Sequence, residues 1–173
     1  MIINEQVVIT EHSPSIFNVV KELDQIKNRH ICLSLATELN RKQVFKAKES
    51  AGKSGSFFFF SFDRRFLIKT MNESELAVFK KALPDYIKFL INNPKSLIAR
   101  IYGVFTVQME DIVPVHLLLM SNAAQAGKSI EYVFDLKGSI INREVKPADI
   151  RPGGTLKDVN ILKEKQGYHF LNF

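Results

Sequence analysis

The chain has 173 residues with one cysteine and no tryptophan, and its 24 Lys and Arg against 18 Asp and Glu give a net charge of +6. Hydrophobic residues at 46% and charged residues at 24% are ordinary for a folded domain and exclude a disordered or collagen-like chain. Cys32 alone makes no internal disulfide, no basic region with an apolar core opens the chain, and the longest apolar run, 112–120, is far shorter than the roughly 20 residues of a membrane-spanning helix; a soluble intracellular domain is expected.

Ser13-Pro14 is read as an N-cap followed by proline at the first helical position. Ile16, Phe17, Val19, Val20, Leu23 and Ile26 then recur at helical spacing, and Ile31, Leu35 and Leu39 mark one shorter helix after them. The texture changes at Ala51-Gly52-Lys53-Ser54-Gly55-Ser56. Phe57–Phe60 and Phe66–Thr70 read as two strands joined by a tight turn at Phe62-Asp63-Arg64-Arg65. Asn72 and Glu75 have capping-box spacing at the start of a helix lined by Leu76, Phe79 and Leu83. Pro84 is expected to end that helix and open a second one, with Tyr86, Ile87, Leu90 and Ile91, which Asn92-Asn93-Pro94 stops.

Three strand-like runs follow, 98–107, 112–120 and 129–136, with Gly103 marking a bulge or a close backbone approach. Residues 146–154 carry two prolines and two glycines and read as a loop, and the last 19 residues show only weak periodicity. The elements together make an α+β fold, an antiparallel sheet with flanking helices.

Charge is concentrated. Arg41, Lys42, Lys46, Lys48 and Lys53 fall within thirteen residues against Glu49 alone, and Arg64, Arg65 and Lys69 follow. Such a run is either a solvated face or a surface for an anionic partner. The string Ala47–Ser54 has the spacing of a P-loop with its first glycine replaced. A P-loop needs a helix after it to hold phosphate, and the four phenylalanines that follow make a strand instead. A glycine turn entering a strand is the other phosphate device. Gly52 and Gly55 allow close backbone approach, and Lys69 on the next strand, on the face opposite Phe66 and Ile68, is placed to pair with phosphates. The same residues also read as an ordinary surface hairpin. Asp135, Lys137 and Gly138, with Arg143 after them, form a second group that is either a solvated turn or a phosphate-facing cluster.

Taken together and in order, these strings resemble the phosphatidylinositol phosphate kinase family. The segments that carry the resemblance are 52–58, 66–70, 83–86, 93–104, Phe134–Ser139 with Arg143, and 155–158, and His12-Ser13-Pro14 through Asp24 resembles the helix before the family's catalytic core. The resemblance implies a protein-kinase-like N-lobe that uses ATP to phosphorylate the inositol ring of a phosphatidylinositol phosphate, most closely in the manner of 4-phosphate 5-kinases. It divides the chain into a helical region at 1–50, the N-lobe at 51–145, and the start of a second lobe at 146–173. It implies that Gly52, Lys53, Ser54, Gly55 and Ser56 cover the ATP phosphates and that Lys69 contacts them. Met120 and Asn122 fall where adenine stacks, and Asp135, Lys137 and Arg143 lie near the nucleotide and substrate phosphates. Glu75 either orients Lys69 or caps its helix, one carboxylate being judged too little for both.

The family's Met-Asp-Tyr-Ser-Leu-Leu segment with its catalytic aspartate, and its magnesium-binding aspartate, have no counterpart in the sequence. Magnesium is therefore expected of the family without a ligand in this chain, and catalysis by the chain alone is not expected. The implied location is the cytosolic face of membranes, with a phosphoinositide lipid as partner. The competing reading is a non-catalytic kinase-like module docking on an anionic membrane or a protein. No nucleic-acid partner is expected, since Phe57–Phe60 fit a buried strand better than a stacking platform.

Overall fold

A computed structural model of the chain describes residues 7–44, 56–123, 132–151 and 154–163. The chain divides into two compact units at residues 125 and 126. The first unit is built on a five-stranded antiparallel sheet in the order β1-β4-β5-β3-β2, comprising β1 (Val8–His12), β2 (Phe58–Phe60), β3 (Phe66–Met71), β4 (Ile101–Gln108) and β5 (Val115–Ser121). Four helices accompany it: α1 (Pro14–Leu23), α2 (Asn28–Ser34), α3 (Thr37–Val44) and α4 (Glu73–Asn92).

Residues directly opposite on neighbouring strands share a face of a sheet, and successive residues alternate. The registers Lys69 with Leu118, Met71 with His116, Val104 with Leu118 and Thr106 with His116 therefore put all six of these residues on one face. Phe66, Ile68, Leu119 and Phe105 lie on the other. Two apolar clusters follow this division. One gathers Phe17, Met71, Leu76, Leu83, Ile101, Val104 and Leu118, and the other Val20, Phe66, Leu90, Tyr102 and Leu119. The β-bulge falls where Gly103 suggested, between Ile101 and Gly103. A Cβ on Gly103 would stand 2.7 Å from the Phe105 ring, so a larger residue there would have to push that ring aside.

The structure departs from the sequence reading at four places in this unit. The N-terminal region opens with a strand, β1, before any helix; its short run of β-branched residues pairs with β4, a partner more than 90 residues away. Ser13 does not cap α1 through its side chain. It takes a left-handed conformation (φ 47°), and its carbonyl accepts from Ile16 and Phe17 instead. The single short helix expected after residue 27 is two, broken at Leu35-Ala36, where Asn40 donates to the carbonyls of Ser34 and Ala36. Pro84 neither ends nor opens a helix. α4 runs through it as one helix because Leu76, Leu83 and Leu90, seven residues apart, keep one buried stripe, while Pro84 lies on the exposed side.

The second unit is smaller. β6 (Val133–Asp135) pairs with β7 (Thr155–Lys157), and α5 (Asp158–Lys163) follows β7 directly. The pairing is parallel, not antiparallel as expected. The chain between the two strands, which holds a 3-10 turn at Pro147–Asp149, is long enough for the crossover that parallel strands require. β7 and α5 replace the featureless end expected from weak periodicity. Among the described residues of this unit the buried positions are Leu156, Asp158 and Asn160. Asn160 accepts from the N–H groups of Val145 (2.9 Å) and Lys157 (3.1 Å) and donates to the Val145 carbonyl (2.9 Å).

Candidate functional site

In the first unit Lys69 lies on β3, an interior strand of the sheet next to the edge strand β2. Lys69 stands on β3 opposite Phe58 of β2 and Leu118 of β5. The hairpin continues past β2, since the Phe57 N–H donates to the Thr70 hydroxyl (2.8 Å) and the Thr70 N–H to the Phe57 carbonyl (3.0 Å). A strand, not a helix, therefore follows the glycine string. Ser56 is buried just before that strand; Gly52, Lys53, Ser54 and Gly55 lie outside the described residues.

Lys69 Nζ pairs with Glu75 Oε1 at 3.3 Å, with side chains 25% and 35% exposed. Glu75 belongs to the first turn of α4, and its other oxygen, Oε2, accepts from the Asn72 N–H at 3.0 Å. Asn72 reciprocates by accepting from the Glu75 N–H at 2.8 Å, so the capping box is complete. The two roles held to compete for Glu75 are thus filled together, one by each carboxylate oxygen. The Asn72 N–H is the main cause that holds the Glu75 carboxyl below its ordinary range; Lys69 adds to it, against the opposing effect of burial. The cap fixes where the carboxylate stands, and the carboxylate fixes the ammonium.

Met120 lies on β5 between Leu67 and Ile101 and packs half-buried against the first cluster. Asn122, just past β5, is tied to the β2–β3 turn. Its N–H donates to the Arg65 carbonyl (2.9 Å) and its amide to the Arg64 carbonyl (2.7 Å). The turn itself is built around Asp63, which accepts from the hydroxyls of Ser34 (2.6 Å) and Ser61 (2.7 Å) and from the Arg65 N–H (3.2 Å). Burial alone would raise the Asp63 pKa, and these donors override it and bring it down. Arg64 takes φ 57° in this turn, and both it and Arg65 are exposed.

The second unit gathers Asp135, Lys137 and Arg143 around a residue to which the sequence reading gave no role, Asp158. Its Oδ1 accepts from the N–H groups of Lys137 (2.9 Å) and Gly138 (2.8 Å), and its Oδ2 pairs with Arg143 Nε at 2.8 Å. Arg143 also donates to the Asp135 carbonyl and lies 3.5 Å from the Asp135 carboxylate. Lys137 Nζ meets that same carboxylate at 2.9 Å. Gly138 has φ +68°, which any residue with a Cβ adopts only with strain, and this accounts for the glycine. The Arg143 guanidinium, followed by the backbone N–H groups, drives the Asp158 carboxyl far below the usual carboxylate range. Lys137 is the first cause of the lowered Asp135 carboxyl, and Asp158 of the raised Arg143. The turn is exposed, and a charge network centred on Asp158 ties it to the start of α5. Asp158 sits in a string that resembled the family, yet its contact with residues 15 to 21 positions earlier has no signature in local spacing.

Among the described residues, no group of three or more His, Cys, Asp or Glu is placed to hold a metal ion, and no helix is long and apolar enough to cross a membrane.

Residues 39–172 match a family model described as Phosphatidylinositol-4-phosphate 5-Kinase. The chain is 33% identical over 163 residues to a phosphatidylinositol 4-phosphate 5-kinase of Schizosaccharomyces pombe, an alignment covering 92% of this chain and 21% of that protein. It is 32% identical over 158 residues to a probable phosphatidylinositol phosphate kinase of Dictyostelium discoideum, covering 90% of this chain and 22% of that one. It is also 32% identical over 150 residues to the putative phosphatidylinositol 4-phosphate 5-kinase 11 of Arabidopsis thaliana, covering 87% and 36% respectively. The chain thus spans between 21% and 36% of the length of these relatives.

Proposed function

The chain belongs to the phosphatidylinositol-4-phosphate 5-kinase family, and we propose that it is the nucleotide-binding lobe, protein-kinase-like in fold, of an enzyme that phosphorylates the inositol ring of a phosphatidylinositol phosphate. The observation that carries this reading is Lys69, set on β3, the second strand of the hairpin that follows the glycine string, and held at 3.3 Å by a helix carboxylate that is itself part of a capping box. Phosphoryl transfer depends mainly on positioning and on fixed charge, and a cation pinned from the far side of its own carboxylate meets that need. The donor chemistry fits an anionic cofactor. An ammonium has three protons, and Glu75 takes one, leaving two for phosphate oxygens.

ATP, when bound, supplies the phosphoryl group. Gly52–Ser56 would lie over its phosphates, Lys69 would pair with them, and Met120 and Asn122 would border the adenine. In the second unit, Asp135, Lys137 and Arg143 would serve nucleotide or lipid phosphate, with Lys137 held on Asp135 until an anion competes for it. Magnesium would accompany the ATP phosphates, and none of the residues assigned here is given to it as a ligand. The net charge of +6 and the exposed Arg64 and Arg65 suit a phosphoinositide-bearing membrane on its cytosolic side.

Calorimetric titration with a non-hydrolysable ATP analogue tests the assignment. Lys69→Met should lose most of the affinity while its circular dichroism matches that of the parent chain. Equal affinity of the two would overturn it.

A further inference from the structure

We propose that His12, Thr106 and His116 form an oriented hydrogen-bond relay that ends on Glu73 and anchors the first turn of α4, making His116 a positioning residue for the Lys69–Glu75 pair. The four residues come from β1, β4, β5 and α4. Three contacts join them: His12 Nε2 to Thr106 Oγ1 at 2.7 Å, Thr106 Oγ1 to His116 Nδ1 at 2.9 Å, and His116 Nε2 to Glu73 Oε2 at 2.7 Å.

The direction of every bond follows from the carboxylate once His116 is taken as a neutral imidazole. Ionised Glu73 can only accept, so His116 Nε2 carries the proton. In neutral His116 the other nitrogen, Nδ1, is then an acceptor, and the Thr106 hydroxyl must donate to it. That leaves the Thr106 oxygen to accept from His12 Nε2. The inner part is shielded from water: the His116 side chain is 8% exposed, whereas that of Glu73 is 82% exposed. A buried imidazole needs both its nitrogens satisfied, and the relay satisfies both. Burial is the first cause that lowers the His12 pKa, with the nearby Lys80 adding to it and Glu73 opposing. His12 at the far end of the relay is thereby held neutral and available as the Nε2–H donor.

The consequence falls on α4. Glu73 and Glu75 are two residues apart, about 200° around the helix, so His116 and Lys69 grip one turn from different sides. Both grips rise from the same face of the sheet, through the registers Met71 with His116 and Lys69 with Leu118. Beside the His116 contact, the capping box, the 3.3 Å ion pair and the buried Leu76 hold the turn that places Glu75.

The functional meaning of this anchor rests on Lys69 contacting nucleotide, but the anchor is read without nucleotide, so failure here and failure of the Lys69→Met titration are separate results. Amide hydrogen exchange is measured on the 173-residue chain and on two variants, His116→Phe and the exposed Glu73→Ala, which keeps the fold if the first does not. Both should speed exchange several-fold at the Asn72 and Glu75 N–H groups and leave Val104 in β4 unchanged, while Glu73→Gln, which keeps an acceptor oxygen, restores protection. Nitrogen-15 spectra of histidine-labelled chain should show Nε2 protonated on both His12 and His116. Unchanged protection at Asn72 and Glu75 in Glu73→Ala, or His116 protonated at Nδ1 alone, would overturn the proposal.

Discussion

The two units hold their charged groups by different means. In the first, Lys69 and Glu75 are placed by regular structure: a strand register, a helix cap and two apolar clusters behind them. In the second, the charges are themselves the framework. Asp158, with Leu156 and Asn160 the other buried positions described there, is bonded to two backbone N–H groups and to Arg143. Geometry set by packing tolerates the loss of one polar contact, because many apolar neighbours remain. Geometry set by one carboxylate does not.

Substitutions can break this contrast. The largest effect is expected at Phe66, 1% exposed and stacked edge-on against Tyr102. Phe66→Ala should destabilise the first unit by about 3–5 kcal/mol, read by denaturant unfolding. Little change would mean that the second cluster does not carry the sheet. Next comes Asp158→Ala, which leaves Arg143 and the Lys137 and Gly138 N–H groups without their shared acceptor. Amide exchange at Lys137 and Gly138 should rise sharply, with the capping box at Asn72 untouched. Coupled loss of both would erase the distinction between the units.

Acid sharpens the comparison with a smaller effect. A carboxyl whose folded pKa is depressed adds stability that is complete above its ordinary value and is lost as pH falls through the folded value. Asp158 starts from 3.8 and is driven far lower. The 135–143 turn should therefore stay protected at mildly acidic pH and lose protection only below 3.8, as monitored by amide spectra. Loss near neutral pH would contradict the assigned network. Smallest is Asn72→Ala, which removes the cap and should cost about 1 kcal/mol; the sheet should be unaffected by the same spectra.

What could be read from the sequence was what is local. Asn72 and Glu75 lie three residues apart, and the box they form is visible as spacing. The aromatic hairpin at 57–70 and the bulge at Gly103 are likewise written in neighbouring residues. Pro84 misled because its local effect is real, but burial of Leu76, Leu83 and Leu90 along one stripe outweighs it. β1 was missed because its partner lies across the whole unit, and Asp158 because its partners lie well upstream. The double use of Glu75 was hidden for another reason. Spacing counts residues, and the answer lay in the two oxygens of one side chain.

Affinity labelling shows whether the Lys69 ammonium touches nucleotide phosphate. An ATP analogue carrying a reactive acyl group on its terminal phosphate acylates the lysine beside that phosphate, and mass spectrometry identifies the site. Label is expected on Lys69 and is prevented by excess ATP. Label spread over other lysines with Lys69 unmodified, or label on Lys69 that ATP does not reduce, would contradict that contact.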